Sequence, residues 1–337
     1  MWTCANPVSR MFLDDVVRSC GIQNRYGDLK VGNYCQRRTP FMRFGVQPLD
    51  FKPIVDQILV DGAPDFSRFN IGDLVRAALR LDYMSAIEVT MDIERMVPGS
   101  LTPASIESLA RLKEEIGHAY TVHLPFYSLE LASFNEYVRE ASIETVVRSI
   151  KLAEPLEPEA YVLHTTGSLA AEFSRLNLPQ GMVTLICSYM AMFAARSLEE
   201  ILTRTEIDSR KIALENVEFP FEITQELVEQ YDTSICFDTG HLLTHYSGTE
   251  SVIEFYKRHQ DRILEIHLHD GSYEKRDDIV IHRDHIPLGR GTMPVRDFLR
   301  ELVRSRFNGP IIFELRNAEV KESLDYVRRV VPEVLTR

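Results

Sequence analysis

The chain has 337 residues, of which 45% are hydrophobic and 26% are charged, as in soluble globular proteins of one large domain or two ordinary ones. Its net charge of −12 argues against a nucleic-acid polymer as partner, because phosphate backbones are bound by basic faces. The same charge is compatible with a small phosphorylated substrate and with a divalent cation, which acidic clusters attract.

Five cysteines, an odd number without a C-x-x-C pair, predict reduced thiols in a cytoplasmic protein. The first residues do not combine a charged region with an apolar one, so we expect no signal peptide. Apolar runs stay short of the roughly 20 residues that span a bilayer, and we expect no membrane partner. No pattern indicates the oligomeric state.

Residues 1–43 have no clear hydrophobic period and contain Cys4, Cys20 and Cys35. The spacing of these thiols matches no metal-binding pattern, which favours ordinary cysteines. We predict an N-terminal extension laid over a main domain of residues 44–337.

From Phe44 onward, short apolar runs alternate with amphipathic segments. Runs rich in Val, Ile, Leu and Phe are typical of parallel strands that are buried on both faces. The predicted strands cover 44–46, 86–91, 120–124, 160–164, 211–216, 234–238, 263–269 and 310–315. The predicted helices cover 71–81, 103–116, 135–152, 180–202, 222–231, 249–258, 294–306 and 320–334.

Eight strand–helix units predict a (β/α)₈ TIM barrel over residues 44–337. A doubly wound sheet uses the same units, but no G-x-G-x-x-G follows the first strand. Reactive residues also recur at the ends of many strands, which favours a barrel with its site at the C-terminal face.

Acids and histidines stand at six successive strand ends of the predicted barrel. They are His123, His164, Glu215, Asp238, His267 with His269, and Glu314; His241 and His285 lie in the adjoining connections. Adjacent strands are about 4.8 Å apart, so these side chains should meet inside the barrel mouth. Burying several carboxylates is costly without a cation, and a set of His, Asp and Glu suits Zn or Mn better than Ca. The sequence therefore predicts a divalent metal site.

Each residue alone has a structural explanation. A strand histidine can be satisfied within a core, Glu314 can pair with Arg316, and Asp238 can cap the following turn. The conjunction of six strand ends favours the metal site over these separate explanations.

Five motifs occur in order along the predicted barrel: H-x-P-[FY] at His123, L-E-N at Glu215, D-T-G-H at 238–241, H-x-H-D at His267 and D-H-x-x-x-G-x-G at 284–291. Together they resemble the xylose-isomerase-like barrels, which include endonuclease IV and many sugar-phosphate isomerases and epimerases. The resemblance spans the whole predicted barrel and is not specific for one activity.

The resemblance implies a cofactor of one to three Zn or Mn ions. The core ion would be held by Glu215, Asp238, His267 and Glu314. Trinuclear members would add His123 and His164 at a second ion, which shares Glu215, and His241 and His285 at a third.

The chain departs from the trinuclear pattern at one position. The pattern has Asp two residues before the later histidine, where this chain has Arg283. Asp284 or His282 could substitute, or the third ion could be absent.

The first functional hypothesis is a metal-dependent hydrolase that cleaves a phosphodiester in a small molecule, with a metal-activated hydroxide attacking phosphorus. His123 and His164 favour it, since a one-metal isomerase does not need them as ligands. A narrower candidate substrate is the nucleotide loop of a cobamide, as in the cobamide-remodelling phosphodiesterases. The predicted substrate-binding residues are His269, Arg283 and Arg290, with Lys275 and Arg276 as further candidates for holding phosphate.

The second hypothesis is a sugar or sugar-phosphate isomerase or epimerase. One metal would polarise the substrate, and Glu215 and Glu314 would act as its catalytic acid/base pair. The third hypothesis, a non-enzymatic binding protein, is disfavoured by the intact set of acids and histidines.

Overall fold

A computed structural model describes residues 42–48, 50–167, 169, 179–217, 220–276 and 279–335. Almost all of the predicted extension, with its three cysteines, lies outside these residues, and the division at residue 43 stays a prediction. The cysteines that are described, Cys187 and Cys236, are buried free thiols.

Eight parallel strands close into a barrel, as predicted. In chain order, β1 to β8 are Arg43–Val46, Met84–Thr90, Ala119–His123, Tyr161–Leu163, Ile212–Glu215, Ser234–Asp238, Ile263–His267 and Pro310–Phe313. The order around the barrel is β1-β8-β7-β6-β5-β4-β3-β2, and β2 pairs with β1 to close it. The sequence predicted each of these strands, although it continued the seventh to residue 269.

The barrel interior and the outer layer use side chains of different size. Val162, Ala213 and Cys236 form a small cluster of their own inside the barrel. Phe237 points outward, where its ring stacks on Phe255 with centroids 4.5 Å apart. Small inward side chains leave room above them for larger polar groups at the barrel mouth, and the outward aromatics bind the helices to the sheet.

Helices surround the barrel, and those predicted from the sequence begin within three residues of the expected positions. Pro103–Ile116 follows an N-cap at Thr102, whose side chain accepts from the Ser105 N–H, and ends at Gly117 with φ +79°. The stretch after β1, for which no helix was predicted, contains one at Phe51–Ile58. The helices described are Phe51–Ile58, Ile71–Ala78, Ile93–Met96, Pro103–Ile116, Glu136–Ala153, Gln180–Thr205, Phe221–Tyr231, Thr239–Leu243, Val252–His259, Val295–Ser305 and Asn317–Val330.

One helix is more apolar than the sequence prediction allowed. Over Gly181–Thr205 it is long and apolar enough to cross a membrane by length and composition alone. A mostly buried core helix of a soluble protein passes the same test; 33% of the apolar window of this helix is buried, and the helix buries Met190, Leu198 and Ile201. The length criterion therefore does not by itself indicate a membrane span.

A β-hairpin that the sequence did not predict follows β7. Its antiparallel strands are Asp270–Arg276 and Ile279–Ile286. The Tyr273 ring stacks on His245 with centroids 4.2 Å apart, and Nδ1 of His282 hydrogen-bonds the Thr244 carbonyl oxygen at 2.8 Å. These contacts hold the hairpin against the end of helix Thr239–Leu243.

The Asp270 carboxylate organises the chain that follows the hairpin. It is fully buried and accepts four backbone N–H bonds of 2.8–2.9 Å, from Gly271, Gly289, Gly291 and Met293. A Cβ on Gly291 would lie 2.3 Å from the Asp270 carboxylate, and Gly289 has φ +87°. The glycines of the D-H-x-x-x-G-x-G motif therefore allow the tight turn around Asp270.

We expect Asp270→Asn to lower the free energy of unfolding by about 2–4 kcal/mol, because two N–H donors lose their acceptor oxygen at about 1–3 kcal/mol each. Urea denaturation measures the change. Asp325→Asn is the matched control, since Asp325 is an exposed partner of Arg328 and its loss should cost within about 0.5 kcal/mol. Equal stability of the two variants would contradict the view that the Asp270 carboxylate stabilises this turn.

Candidate metal centre

The core of the site consists of four side chains at the C-terminal ends of β5 to β8. Glu215, Asp238 and His267 are the last residues of their strands, and Glu314 follows β8. Because the strands are parallel and in register, with Asp238 beside His267, their ends lie at one level. Nδ1 of His267 is 3.3 Å from Glu314 Oε2, 3.7 Å from Glu215 Oε1 and 3.8 Å from Asp238 Oδ2. One donor atom from each residue lies within 4.8 Å of the other three.

A second donor group lies on the other side of Glu215. Its Oε2 atom is 2.8 Å from His164 Nε2 and 3.4 Å from His123 Nε2. Nδ1 of His123 bonds the Leu124 carbonyl oxygen at 2.9 Å, so Nδ1 carries a proton. In a neutral His123 ring, Nε2 would then direct its lone pair at a carboxylate, an arrangement that a cation between the two would stabilise.

The third group contains His241, Asp284 and His285. Oδ2 of Asp284 is 3.5 Å from His241 Nε2 and 3.3 Å from His285 Nδ1. Of the two substitutes considered for the missing aspartate, Asp284 reaches this group, whereas His282 bonds the Thr244 carbonyl.

Backbone geometry explains how the adjacent Asp284 and His285 face one site. Consecutive residues of a regular strand point to opposite sides. Here the hairpin register shifts, and His285 adopts a left-handed φ of +50°. The irregularity turns both side chains toward the barrel mouth.

The buried histidines have strongly perturbed pKa values. Burial opposes protonation of His123, but its bond to Glu215 and the neighbouring carboxylates raise its pKa to about 9. Burial likewise opposes protonation of His241, and the charges of Asp238, Glu215 and Asp284 raise its pKa to about 10. The site therefore attracts positive charge strongly.

The carboxylates show the reciprocal effect. Burial favours the neutral acid, but the nearby histidines keep the pKa of Glu215 and of Glu314 well below the usual range. Nδ1 of His241 and Nδ1 of His267 are buried and have no hydrogen-bond partner among the described residues. Ionised carboxylates beside unpartnered imidazole nitrogens form a donor set that fits Zn or Mn.

The predicted substrate-binding residues do not line the cavity at the site. His269 is fully buried and binds Asp238 Oδ2 through Nε2 at 2.8 Å. Arg290 forms a two-bond pair with Glu322, because the turn around Asp270 directs it toward helix Asn317–Val330. Arg283 is exposed on the hairpin.

The cavity above the core has a volume of about 630 Å³. Apolar walls come from Phe126, Leu315 and partly exposed Tyr127, and Arg316 is the only Lys or Arg among the described lining residues. The residues that line it are Gln47, His123, Phe126, Tyr127, Ser128, His164, Thr166, Gly167, Glu215, Val217, His241, His285, Glu314, Leu315, Arg316 and Glu319. Its volume suits a small molecule.

Sequence reasoning assigned no role to two buried carboxylates inside the barrel. Glu88 lies 3.3 Å from His267 Nε2, and Glu265 accepts the Thr121 hydroxyl at 2.8 Å. Burial raises the pKa of Glu265 well above the usual range, and the charge of Glu88 adds to that effect. An acid within an apolar strand run, as at Glu88 in β2, is the signal that could have revealed them.

A family model described as "Xylose isomerase-like TIM barrel" matches residues 75–330. The chain belongs to the xylose isomerase-like TIM barrel family. The resemblance inferred from the strand-end motifs is thereby confirmed at the level of the family.

Individual proteins that are similar to the chain share 20–27% of its residues over the aligned regions. An uncharacterized protein of Methanocaldococcus jannaschii, MJ1311, is 27% identical over 258 residues, which are 69% of this chain and 79% of that protein. A D-tagatose 3-epimerase-like protein has a TM-score of 0.61 and 23% identity, covering 87% of this chain and 98% of its own. Endonuclease IV from Thermus thermophilus has a TM-score of 0.60 and 20% identity, covering 86% and 99%. At these identities the two solved structures show the fold alone.

We expect His241 to stabilise the metal-free protein in a pH-dependent way. Because folding raises its pKa to about 10, its contribution is full below the unfolded value of about 6.5 and is lost as the pH rises through about 10. The difference in unfolding free energy between wild type and His241→Gln, measured with urea and a chelator, should shrink over this range.

His118→Gln is the control for this titration. Burial and the charge of Lys113 lower the pKa of His118 to about 4. The difference in unfolding free energy between His118→Gln and wild type should therefore stay constant above pH 6.5. A constant difference for His241→Gln as well would contradict the electrostatic description of the site.

Proposed function

We propose that this chain is a divalent-metal-dependent hydrolase that cleaves a phosphodiester in a small molecule. The observation that carries the proposal is the second donor group, in which His123 and His164 approach Glu215 Oε2 while Oε1 faces the core group. A one-metal reaction needs only the core group. Two further donor groups beside the core favour chemistry that uses several cations.

Each donor group would hold a different ion. Glu215 would bridge two ions, with Asp238, His267 and Glu314 at one and His123 and His164 at the other. When bound, such cations neutralise phosphate charge and activate water for attack on phosphorus. His241, Asp284 and His285 would hold a third ion at the hairpin side.

Other residues of the chain would bind and orient the substrate. The Arg316 guanidinium lies at the cavity wall, where it pairs with Glu319 and could also contact an anionic group. The Phe126 ring stacks on His164 with centroids 4.7 Å apart, and with Tyr127 it offers an apolar wall to the organic part of the ester. These groups would hold the substrate over the acid cluster and limit the access of bulk water.

Two observations favour a small substrate over a nucleic acid. The net charge of −12 repels a polyanion, and the cavity of about 630 Å³ suits a compact molecule. The nucleotide loop of a cobamide is the narrower candidate, and the assay below includes it.

The alternative function is sugar or sugar-phosphate isomerisation or epimerisation. It is supported by Glu215 and Glu314, whose oxygens lie 3.7 and 3.3 Å from the same His267 nitrogen and so lie close together in the core. Two such carboxylates could move a proton between adjacent carbons.

The test measures metal content and two activities on the same preparations. We expect two or three tightly bound ions per chain, and hydrolysis of bis(p-nitrophenyl) phosphate or of a cobamide. His164→Asn should lose one ion and lower hydrolysis by about 100-fold or more, on the order of 3 kcal/mol of transition-state stabilisation. Glu215→Gln should abolish activity.

The surface variant Glu333→Gln, whose side chain pairs with Arg300, is the control and should match wild type. A single bound ion, with ketose epimerisation that survives His164→Asn, would establish the alternative. Full hydrolysis by His164→Asn would refute the proposed role of the second donor group.

A further inference from the structure

A hydrogen-bonded chain of three side chains reaches the core from inside the barrel. Gln47, just after β1, donates from Nε2 to Glu88 Oε1 at 3.1 Å. Oε2 of Glu88, on β2, lies 3.3 Å from Nε2 of His267 on β7. All three side chains are buried, and Glu88 and His267 have no exposed surface.

These hydrogen bonds determine which nitrogen of His267 carries the proton and which one faces the other core residues. A neutral imidazole has one donor and one acceptor nitrogen. When Nε2–H donates to Glu88, the Nδ1 lone pair points toward Glu215, Asp238 and Glu314. Nδ1 is also the nitrogen that has no hydrogen-bond partner among the described residues.

The neighbouring acid Glu265 provides an internal comparison. It is as deeply buried in the same barrel interior, yet it bonds the Thr121 hydroxyl and not an imidazole of the core. Burial inside the barrel thus does not by itself bring a carboxylate into contact with a core histidine. The contact is particular to Glu88, and Gln47 holds its second oxygen.

We propose that Glu88 is a positioning residue, which fixes the tautomer and ring orientation of His267 for the core cation. A carboxylate behind a ligating histidine holds the ring in place and makes it a stronger ligand. Gln47 holds Glu88 and also lines the substrate cavity, so it connects this support to the space above the core. The inference rests on the proposed core ion and is independent of which reaction that ion serves.

The test is a titration of the metal-free full chain with Co²⁺, followed by calorimetry and by the visible absorption spectrum. Glu88→Gln keeps the size of the side chain but removes its charge. We expect it to bind the tightest ion about 10–100-fold more weakly and to change the Co²⁺ absorption bands. Glu265→Gln is the matched control and should keep the wild-type spectrum and affinity.

A second variant covers the case in which Glu88→Gln does not fold. Gln47→Met removes the donor to Glu88 at similar length, and it should weaken binding to a smaller degree and change the bands in the same direction. Wild-type affinity and spectrum in the folded variants would overturn the inference and leave the proposed function standing. A wild-type chain that binds no Co²⁺ would overturn both.

Discussion

One buried carboxylate holds the proposed centre together. Glu215 has imidazole nitrogens of His164, His241, His123 and His267 at 2.8, 3.2, 3.4 and 3.7 Å. Its two oxygens face different donor groups, so the core and the second group share it. A carboxylate that is 2% exposed requires positive charge beside it, from protonated imidazoles or from metal ions. The same constraint explains why the acids and the histidines of the site occur together.

The barrel supplies the geometry that this carboxylate needs. Parallel register brings Glu215, Asp238 and His267 to one level, and the small Cys236 side chain lies within the interior beneath them. The remaining group depends on a different device, a hairpin whose irregular strand directs Asp284 and His285 inward. Asp270 anchors the turn that follows this hairpin. The rigid sheet thus supports the core, while the third group depends on the placement of the hairpin.

The sequence predicted the parts of the fold that repeat. Buried parallel strands are short apolar runs, and the acid or histidine at the end of a run marks the C-terminal face. For that reason the sequence alone predicts that Glu215, Asp238 and His267 lie together. The structure shows that these side chains lie close together. Their role as metal ligands is a proposal.

Other features of the structure could not be predicted from the sequence, for physical reasons. The hairpin strand Ile279–Ile286 is largely exposed, and its short apolar start is followed by four polar residues, so it lacks the sustained apolar run of a buried strand. Arg290 was expected near substrate, but the hydrogen bonds around Asp270 turn it to Glu322. Glu88 contacts His267 through the barrel interior, and strand periodicity does not specify contacts between distant strands.

Anomalous diffraction from crystals grown with Zn²⁺ or Mn²⁺ would show whether Glu215 is shared by two ions. We predict two peaks that share Glu215, one also bound by Asp238, His267 and Glu314 and the other by His123 and His164. A single peak at the core, or peaks at which Glu215 is not a ligand, would contradict it.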